Sequence, residues 1–180
     1  DKKDKYFIEN LNLKNQNVVM RVDFNVPMKN GQILSDYRVK SSIKTIQYLL
    51  DSGVNRIVLI SHLGRPKERT FELSLSPVVN ILEKYLDEKV CFLKDGINAA
   101  SLPPLNGSFW SRPRRIFLLE NVRFHREETE WKNIDDNEMT KFNDVVGKLG
   151  NVYINDAFGS AHRDHFSING FKYETKGYGY

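Results

Sequence analysis

Four short apolar runs in this chain each end in a cluster of arginine, histidine, acidic or amide side chains. The runs cover residues 18–26, 56–61, 116–119 and 152–154. If they are neighbouring strands of an open parallel sheet, the clusters meet at one edge, because such sheets bind ligands outside the carboxyl ends of their strands. Arginine recurs in these clusters, and a guanidinium group binds phosphate or carboxylate oxygens through paired hydrogen bonds. The pattern therefore predicts a site for a small, doubly anionic ligand.

The first run predicts a strand with one polar and one apolar face. Alternation along the strand places Arg21, Asp23 and Asn25 on the polar face. Two interpretations of Asp23 stay open, namely a structural pairing with an arginine and contact with a ligand. Few acids lie near the arginines of this edge, so a structural ion-pair network does not account for them. The arginines expected at the edge are Arg21, Arg38, Arg65, Arg123 and Arg163.

The four histidines of the chain all fall within or beside the clusters, and three of them are candidate site residues. His62 lies just beyond its predicted strand, and Arg65 three residues later favours contact with an anion over simple solvation. The spacing of His162 and His165 could hold a metal ion, but the intervening Arg163 repels a cation and no third ligand is obvious. We therefore predict no metal site.

Segments with helical periodicity separate the predicted strands. The first begins after Ser35 or Asp36 and ends before Gly53, and the second has Ser76 as its N-cap. A third begins near residue 135 and stops at Gly150, and residues 90–93 form a further strand. Strands and helices thus alternate, and the unbroken apolar runs indicate strands covered on both faces. The sequence predicts an α/β fold with a parallel sheet.

Length and composition favour one domain in a reducing compartment. A chain of 180 residues can bury one core, and a net charge of +4 decides little about partners. Cys91 is the one cysteine, so no internal disulfide can form, and a cytoplasmic setting fits. No apolar stretch approaches the roughly 20 residues that cross a bilayer. We expect a protein with no membrane partner.

One basic loop leaves a second function open. Residues 112–115 hold three arginines and follow Phe109 and Trp110, and such a patch could contact nucleic acid through phosphates and stacked bases. A solvated loop is the favoured interpretation, since prolines and Gly107 break any helix across residues 97–115. A non-catalytic module that binds anions or nucleic acid is the alternative hypothesis.

Four motifs carry a resemblance to a known family. They read R-V-D-F-N-V-P at 21–27, S-H-L-G-R-P at 61–66, L-L-E-N-V-R-F-H at 118–125 and N-D-A-F-G-S-A-H-R at 155–163. With these motifs the chain resembles the N-terminal domain of phosphoglycerate kinase over nearly its whole length. The resemblance implies a Rossmann-like, three-layer α/β fold. It also implies a glycerate-binding domain at residues 1–170 and, at 171–180, the start of a connection to a C-terminal nucleotide domain.

The resemblance implies an activity and a role for each site residue. The activity is phosphoryl transfer between 1,3-bisphosphoglycerate and ADP, which gives 3-phosphoglycerate and ATP in glycolysis. Arg38 would be the catalytic residue, close to the group that is transferred. The substrate-binding residues would be Asp23, Asn25, Arg38, His62, Arg65, Arg123 and Arg163, with Arg21, His162 and His165 as a supporting basic patch.

The same resemblance implies that half of the enzyme lies outside this chain. Mg-ATP or Mg-ADP would bind to the C-terminal domain, so this chain is expected to bind no cofactor and to be inactive alone. The whole enzyme would be a cytoplasmic monomer. Two residues depart from the family pattern after Arg163, namely Asp164, which could neutralise that arginine, and the bulky Phe166.

Overall fold

A six-stranded parallel sheet forms the centre of the molecule. The computed structural model describes residues 7–98, 103–104, 107–110, 115–157 and 164–180. The strands are β1 (Asn17–Arg21), β4 (Arg56–Ile60), β5 (Val90–Leu93), β6 (Ile116–Leu119), β7 (Val152–Asn155) and β8 (Thr175–Tyr178). Their spatial order is β5-β6-β4-β1-β7-β8, and every pairing is parallel. The predicted fold class, an α/β fold with a parallel sheet, is confirmed.

Helices cover both faces of this sheet. The helices are α1 (Tyr37–Asp51), α2 (Val78–Leu86), α3 (Glu127–Glu130) and α4 (Asp136–Leu149). One core packs Val18 and Met20 of β1 against α1 and α2, and the other packs Val19 against α4. Alternate residues of β1 therefore enter different cores, as the two-residue period of a strand requires. The result is the three-layer arrangement that the resemblance implies.

The first strand is shorter than predicted. Alternation predicted a strand across 18–26, whereas β1 ends at Arg21. Beyond it, the Val22 amide still donates to the Ile60 carbonyl at 2.9 Å, but the Phe24 amide donates to the Ser61 hydroxyl at 2.9 Å. The backbone leaves the sheet because a side chain replaces the neighbouring strand as its hydrogen-bond acceptor.

The structure contains elements that were not predicted from the sequence. A hairpin joins β2 (Met28–Lys29) to β3 (Gln32–Ile33), and a π-helix spans Phe166–Gly170. Strand β8 lies within residues 171–180, which were predicted to be a connecting segment, and it pairs with β7 along the sheet edge. No helix in the described ranges is long and apolar enough to cross a membrane.

Candidate anion site at the carboxyl edge of the sheet

Asp23 and Arg38 form an ion pair just beyond β1. Arg38 lies in the first turn of α1, and its Nη1 donates to both carboxylate oxygens of Asp23 at 3.1 Å. The Asp23 carboxylate also accepts from the Asn25 amide at 3.1 Å, which turns the chain back toward the site. The Arg38 side chain is 47% exposed and that of Asp23 only 21%. The Arg38 guanidinium group is thus held by Asp23 through Nη1, while about half of the side chain remains exposed.

The loop after β4 is tied to this segment. The Asn25 side-chain oxygen accepts from the Gly64 amide at 2.9 Å. Gly64 has a positive φ of 63°, a conformation that suits glycine because it has no Cβ. Arg65 follows this turn and is exposed, and no hydrogen bond or ion pair joins it to another residue in the described ranges. The predicted neighbours Asp23, Asn25, Arg38 and Arg65 therefore lie on two connected loops.

Asn121 fastens the loops after β4 and β6 to each other. This residue is fully buried, and its side-chain oxygen accepts from the amides of Leu63 and Arg123, each at 3.1 Å. Its side-chain nitrogen donates to the carbonyls of Leu63 at 2.7 Å and Leu73 at 3.0 Å. Asn121 was not among the predicted site residues, although it lies within one of the four motifs. The signal available in the sequence was an amide side chain shortly after a predicted strand, where it could have indicated a structural role.

Arg123 extends from the loop after β6 across to the other loops. Its Nη1 donates to the Gly64 carbonyl at 2.7 Å, and its Nη2 lies 3.4 Å from His165 Nε2. Because a guanidinium group can only donate, His165 Nε2 is the acceptor of this contact. Arg123 therefore brings His165 to the same edge as Asn25 and Gly64.

Arg21 is buried beneath these loops and does not lie on their surface. Its exposed fraction is 0%, and its Nε donates to the Ser167 hydroxyl at 2.8 Å. The Ser167 hydroxyl donates to Glu128 Oε2 at 2.5 Å, and the Ser167 amide donates to Glu128 Oε1 at 2.7 Å. Arg21 Nη2 lies 3.9 Å from Glu128 Oε2. Glu128, more than 100 residues beyond Arg21 along the chain, is an acidic partner that the sequence did not predict.

His62 completes this group of buried polar residues. It is 2% exposed, and its Nδ1 lies 2.7 Å from Arg21 Nη2. Its ring also stands against the ring of His165, with centroids 6.3 Å apart. We refer to Arg21, His62, Glu128 and Ser167 as the buried network.

Burial shifts the acid–base equilibria of the charged pair in the buried network. Loss of solvation lowers the pKa of Arg21 and raises the pKa of Glu128, and each group's charge partly offsets the shift of the other. Each charge thus depends on the other, as is usual for a buried ion pair. Neither Glu128 nor Ser167 was predicted as a site residue, because no local pattern links them to Arg21.

Two predicted residues, His162 and Arg163, lie outside the described residues. Of the two departures from the family pattern, Asp164 lies 2.6 Å from Lys132 Nζ and accepts from the Asn169 side chain at 3.2 Å. Hydrogen bonding to Lys132 lowers the pKa of Asp164. Phe166 is 1% exposed and packs in the core on the α4 face. Asp164 therefore has a cationic partner, and Phe166 fills core volume.

The described residues give little support for the two other ligands considered, a metal ion and nucleic acid. Among them, no group of three histidine, cysteine, aspartate or glutamate side chains could hold a metal ion. Trp110, proposed as a stacking surface for bases, is 4% exposed and packs 4.6 Å from Phe117, centroid to centroid. Arg115 is paired with Glu88 at 2.5 Å. Trp110 is a core residue and is not available to stack on nucleic acid.

Comparisons with known proteins agree with the motifs. The family model described as phosphoglycerate kinase matches residues 8–180. The chain is 42% identical over 190 aligned positions to phosphoglycerate kinase 2 of Mus musculus and 41% identical over 186 to a phosphoglycerate kinase of Schistosoma mansoni. Each alignment covers 98% of this chain and 44% of the relative. The chain therefore spans less than half the length of these relatives.

Solved structures show the same relationship in three dimensions. A phosphoglycerate kinase from Pyrococcus horikoshii OT3 superposes with a TM-score of 0.75 at 32% identity, covering 92% of this chain and 40% of that one. The structure from Coxiella burnetii gives a TM-score of 0.70 at 35% identity, covering 89% of this chain and 37% of its own. Family model, sequence identity and superposition agree, and the chain belongs to the phosphoglycerate kinase family.

Proposed function

We propose that this chain is the glycerate-binding half of a phosphoglycerate kinase. The observation that carries the proposal is the linkage of the loops after β1, β4 and β6 by hydrogen bonds from Asn25, Asn121 and Arg123. Arg38, which pairs with Asp23, and Arg65 lie on or beside these loops and are exposed residues. The ligand would be 3-phosphoglycerate or 1,3-bisphosphoglycerate, whose carboxyl and phosphate ends both suit arginine.

In this proposal the site residues position the substrate and stabilise charge. Phosphoryl transfer needs positioning and electrostatic stabilisation more than covalent chemistry by the protein. Asp23 would accept from the glycerate hydroxyl and the Asn25 side-chain nitrogen would donate to it, and Arg65 and Arg123 would bind oxygens of the anionic groups. Arg38 would stabilise the charge that develops on the transferring group. Arg163 and His162 would join the site from outside the described residues.

The nucleotide would be bound by a second domain of the same polypeptide. Mg-ATP or Mg-ADP belongs, in this proposal, to the half of the family's length that this chain does not cover. The isolated chain should therefore bind the glycerate substrate without turning it over. With ATP, Mg²⁺ and 3-phosphoglycerate, we expect no ADP formation by the pure chain. Turnover by this chain alone would contradict the proposal that it is half of the catalytic unit.

The binding step can be tested directly by NMR. The ¹⁵N-labelled chain is titrated with 3-phosphoglycerate, and saturable amide shifts are expected around Asp23, Gly64 and Arg123. Each charge-assisted hydrogen bond from an arginine contributes about 1.5–3 kcal/mol to the free energy of binding. Arg38→Ala and Arg65→Ala should therefore each weaken binding by at least about tenfold.

A matched control separates the site from general attraction of anions. Lys148 is an exposed cation at the end of α4, next to the amino end of β7 and so at the opposite edge of the sheet. Lys148→Ala should leave the dissociation constant unchanged. A parallel titration with sulfate should give weaker shifts, since sulfate cannot span both ends of the site. Equal responses to sulfate and 3-phosphoglycerate would favour the alternative, a non-catalytic anion-binding module.

A further inference from the structure

The contact between Arg21 and His62 determines which nitrogen of His62 carries a proton. Arg21 Nη2 lies 2.7 Å from His62 Nδ1, within hydrogen-bond distance. A guanidinium group has five donors and no acceptor, so His62 Nδ1 must be the acceptor. An imidazole that accepts at Nδ1 is neutral and carries its one proton on Nε2.

Arg21 can impose this arrangement because its own orientation is fixed. Its Nε donates to the Ser167 hydroxyl at 2.8 Å, and its Nη1 donates to the Val22 carbonyl. With its oxygen accepting from Arg21, the Ser167 hydroxyl directs its proton to Glu128 Oε2, 2.5 Å away. Glu128 also accepts from the Ser167 amide at 2.7 Å, so α3 and the π-helix are held together. The direction of donation is the same from Arg21 through Ser167 to Glu128.

We propose that Glu128 is a positioning residue for His62. Acting through Ser167 and Arg21, it holds His62 in the neutral form that is protonated on Nε2. His62 then has a single ring donor, on Nε2, and adds no positive charge, so the charge of the anion site comes from its arginines. The use of that donor by a glycerate ligand rests on the proposed function, whereas the protonation state of His62 does not.

The first experiment measures the imidazole nitrogens of the ligand-free chain. A long-range ¹H–¹⁵N correlation spectrum at pH 7 distinguishes the two neutral tautomers and the doubly protonated ring, and a His62→Asn variant assigns the His62 signals. We expect His62 to give the pattern of a single neutral tautomer with its proton on Nε2. A proton on Nδ1, or a doubly protonated ring, would overturn the proposal without any further variant.

The second experiment removes the charge of Glu128 with little change in shape. In Glu128→Gln, Arg21 loses its buried counter-charge, and the single-tautomer pattern of His62 should be replaced by a mixture of forms. Glu130→Gln is the matched control, because Glu130 lies on the same helix but is exposed. A folded Glu128→Gln variant that keeps the wild-type His62 signals would show that Glu128 is only structural.

A third variant keeps the proposal testable if Glu128→Gln does not fold. Ser167→Ala leaves the Glu128 charge in place but removes the hydroxyl that binds Arg21 Nε. The same loss of a single tautomer is expected, and unchanged His62 signals in this variant would contradict the proposed chain of contacts. All three measurements are made without substrate, so a failure here is distinct from a failure of the glycerate titration.

Discussion

The candidate site has two layers that use arginine in opposite ways. In the buried network, Arg21 is 0% exposed and its donors contact Ser167, Val22 and His62. Above it, the Arg38 side chain is 47% exposed and held by one carboxylate, and Arg65 is exposed with no partner in the described ranges. The same residue type is thus a structural member of the lower layer and an available ligand group in the upper one.

Because of this difference, we expect the buried arginine to contribute to stability and the exposed arginines to contribute to ligand binding. A buried charge needs its partners, because an unpaired ion in the interior carries a large desolvation penalty. An exposed charge contributes little to stability, since solvent screens it in either state. We therefore expect substitutions in the buried network to lower the free energy of unfolding, and substitutions of Arg38 or Arg65 to reduce ligand binding with little change in stability.

The largest effect is expected for Arg21→Met. This substitution keeps most of the side-chain volume but leaves the buried Glu128 carboxylate without its counter-charge. Breaking a buried pair by removing one partner costs about 3–5 kcal/mol. Urea unfolding monitored by circular dichroism should show a loss of this size relative to the wild type.

Two further variants make the Arg21 measurement specific. Arg65→Ala removes an arginine from the exposed layer and should change the free energy of unfolding by no more than about 0.5 kcal/mol. The double variant Arg21→Met/Glu128→Gln should recover part of the loss, because it removes the uncompensated carboxylate. Equal losses in Arg21→Met and Arg65→Ala would contradict the distinction between the two layers.

A somewhat smaller effect is expected for Asn121→Ala. The fully buried Asn121 side chain binds backbone groups of Leu63, Leu73 and Arg123. Its removal leaves two amides and two carbonyls without this partner. An unsatisfied buried group costs about 1–3 kcal/mol, and water entering the space left by the side chain should satisfy most of the four. We expect a loss of about 3 kcal/mol in urea unfolding, with accelerated amide hydrogen exchange at Leu63. If Asn121→Ala were as stable as the wild type, the loops after β4 and β6 would not depend on this residue.

The sheet and its site edge could be predicted because their signals are local. The bounds of β5 and β6 match the predicted strands at 90–93 and 116–119, and α4 begins beside Asp135 and ends just before Gly150 as expected. Apolar runs and helical periodicity report burial directly. The predicted end of β1 was wrong because the alternation of apolar and polar residues continues past Arg21. The loss of strand pairing there depends on the Ser61 side chain, which the alternation does not report.

The buried network could not be predicted, for a physical reason. Arg21 follows three apolar residues of β1, and nothing in its neighbourhood distinguishes a buried arginine from a surface one. Its partners Glu128 and Ser167 come from α3 and the π-helix, 107 and 146 residues along the chain. Contacts of this kind are determined by tertiary packing. A short helix rich in glutamate also looks like an exposed segment when only its sequence is considered.

The smallest effect tests Asp156, a partly buried carboxyl that is paired with a hydroxyl group. Asp156 follows β7 and accepts from the Thr45 hydroxyl at 3.1 Å, and burial raises its pKa to about 7. An unfolded aspartate has a pKa near 3.9, so the folded chain holds this proton more tightly. The stabilisation is fully present below about pH 4 and is lost as the pH rises through 7. Asp156→Asn should remove this dependence.

The free energies of unfolding of the wild type and of Asp156→Asn are compared across pH, because the titration of His125 changes the stability in the opposite direction. Burial lowers the pKa of His125 to about 4, so its contribution to stability is lost as the pH falls below about 6.5. The contribution of His125 cancels when the free energy of unfolding of the wild type is subtracted from that of Asp156→Asn. The variant should gain about 1 kcal/mol relative to wild type between pH 5 and pH 8, after allowance for partial exposure. A difference that does not change with pH would contradict the raised pKa of Asp156.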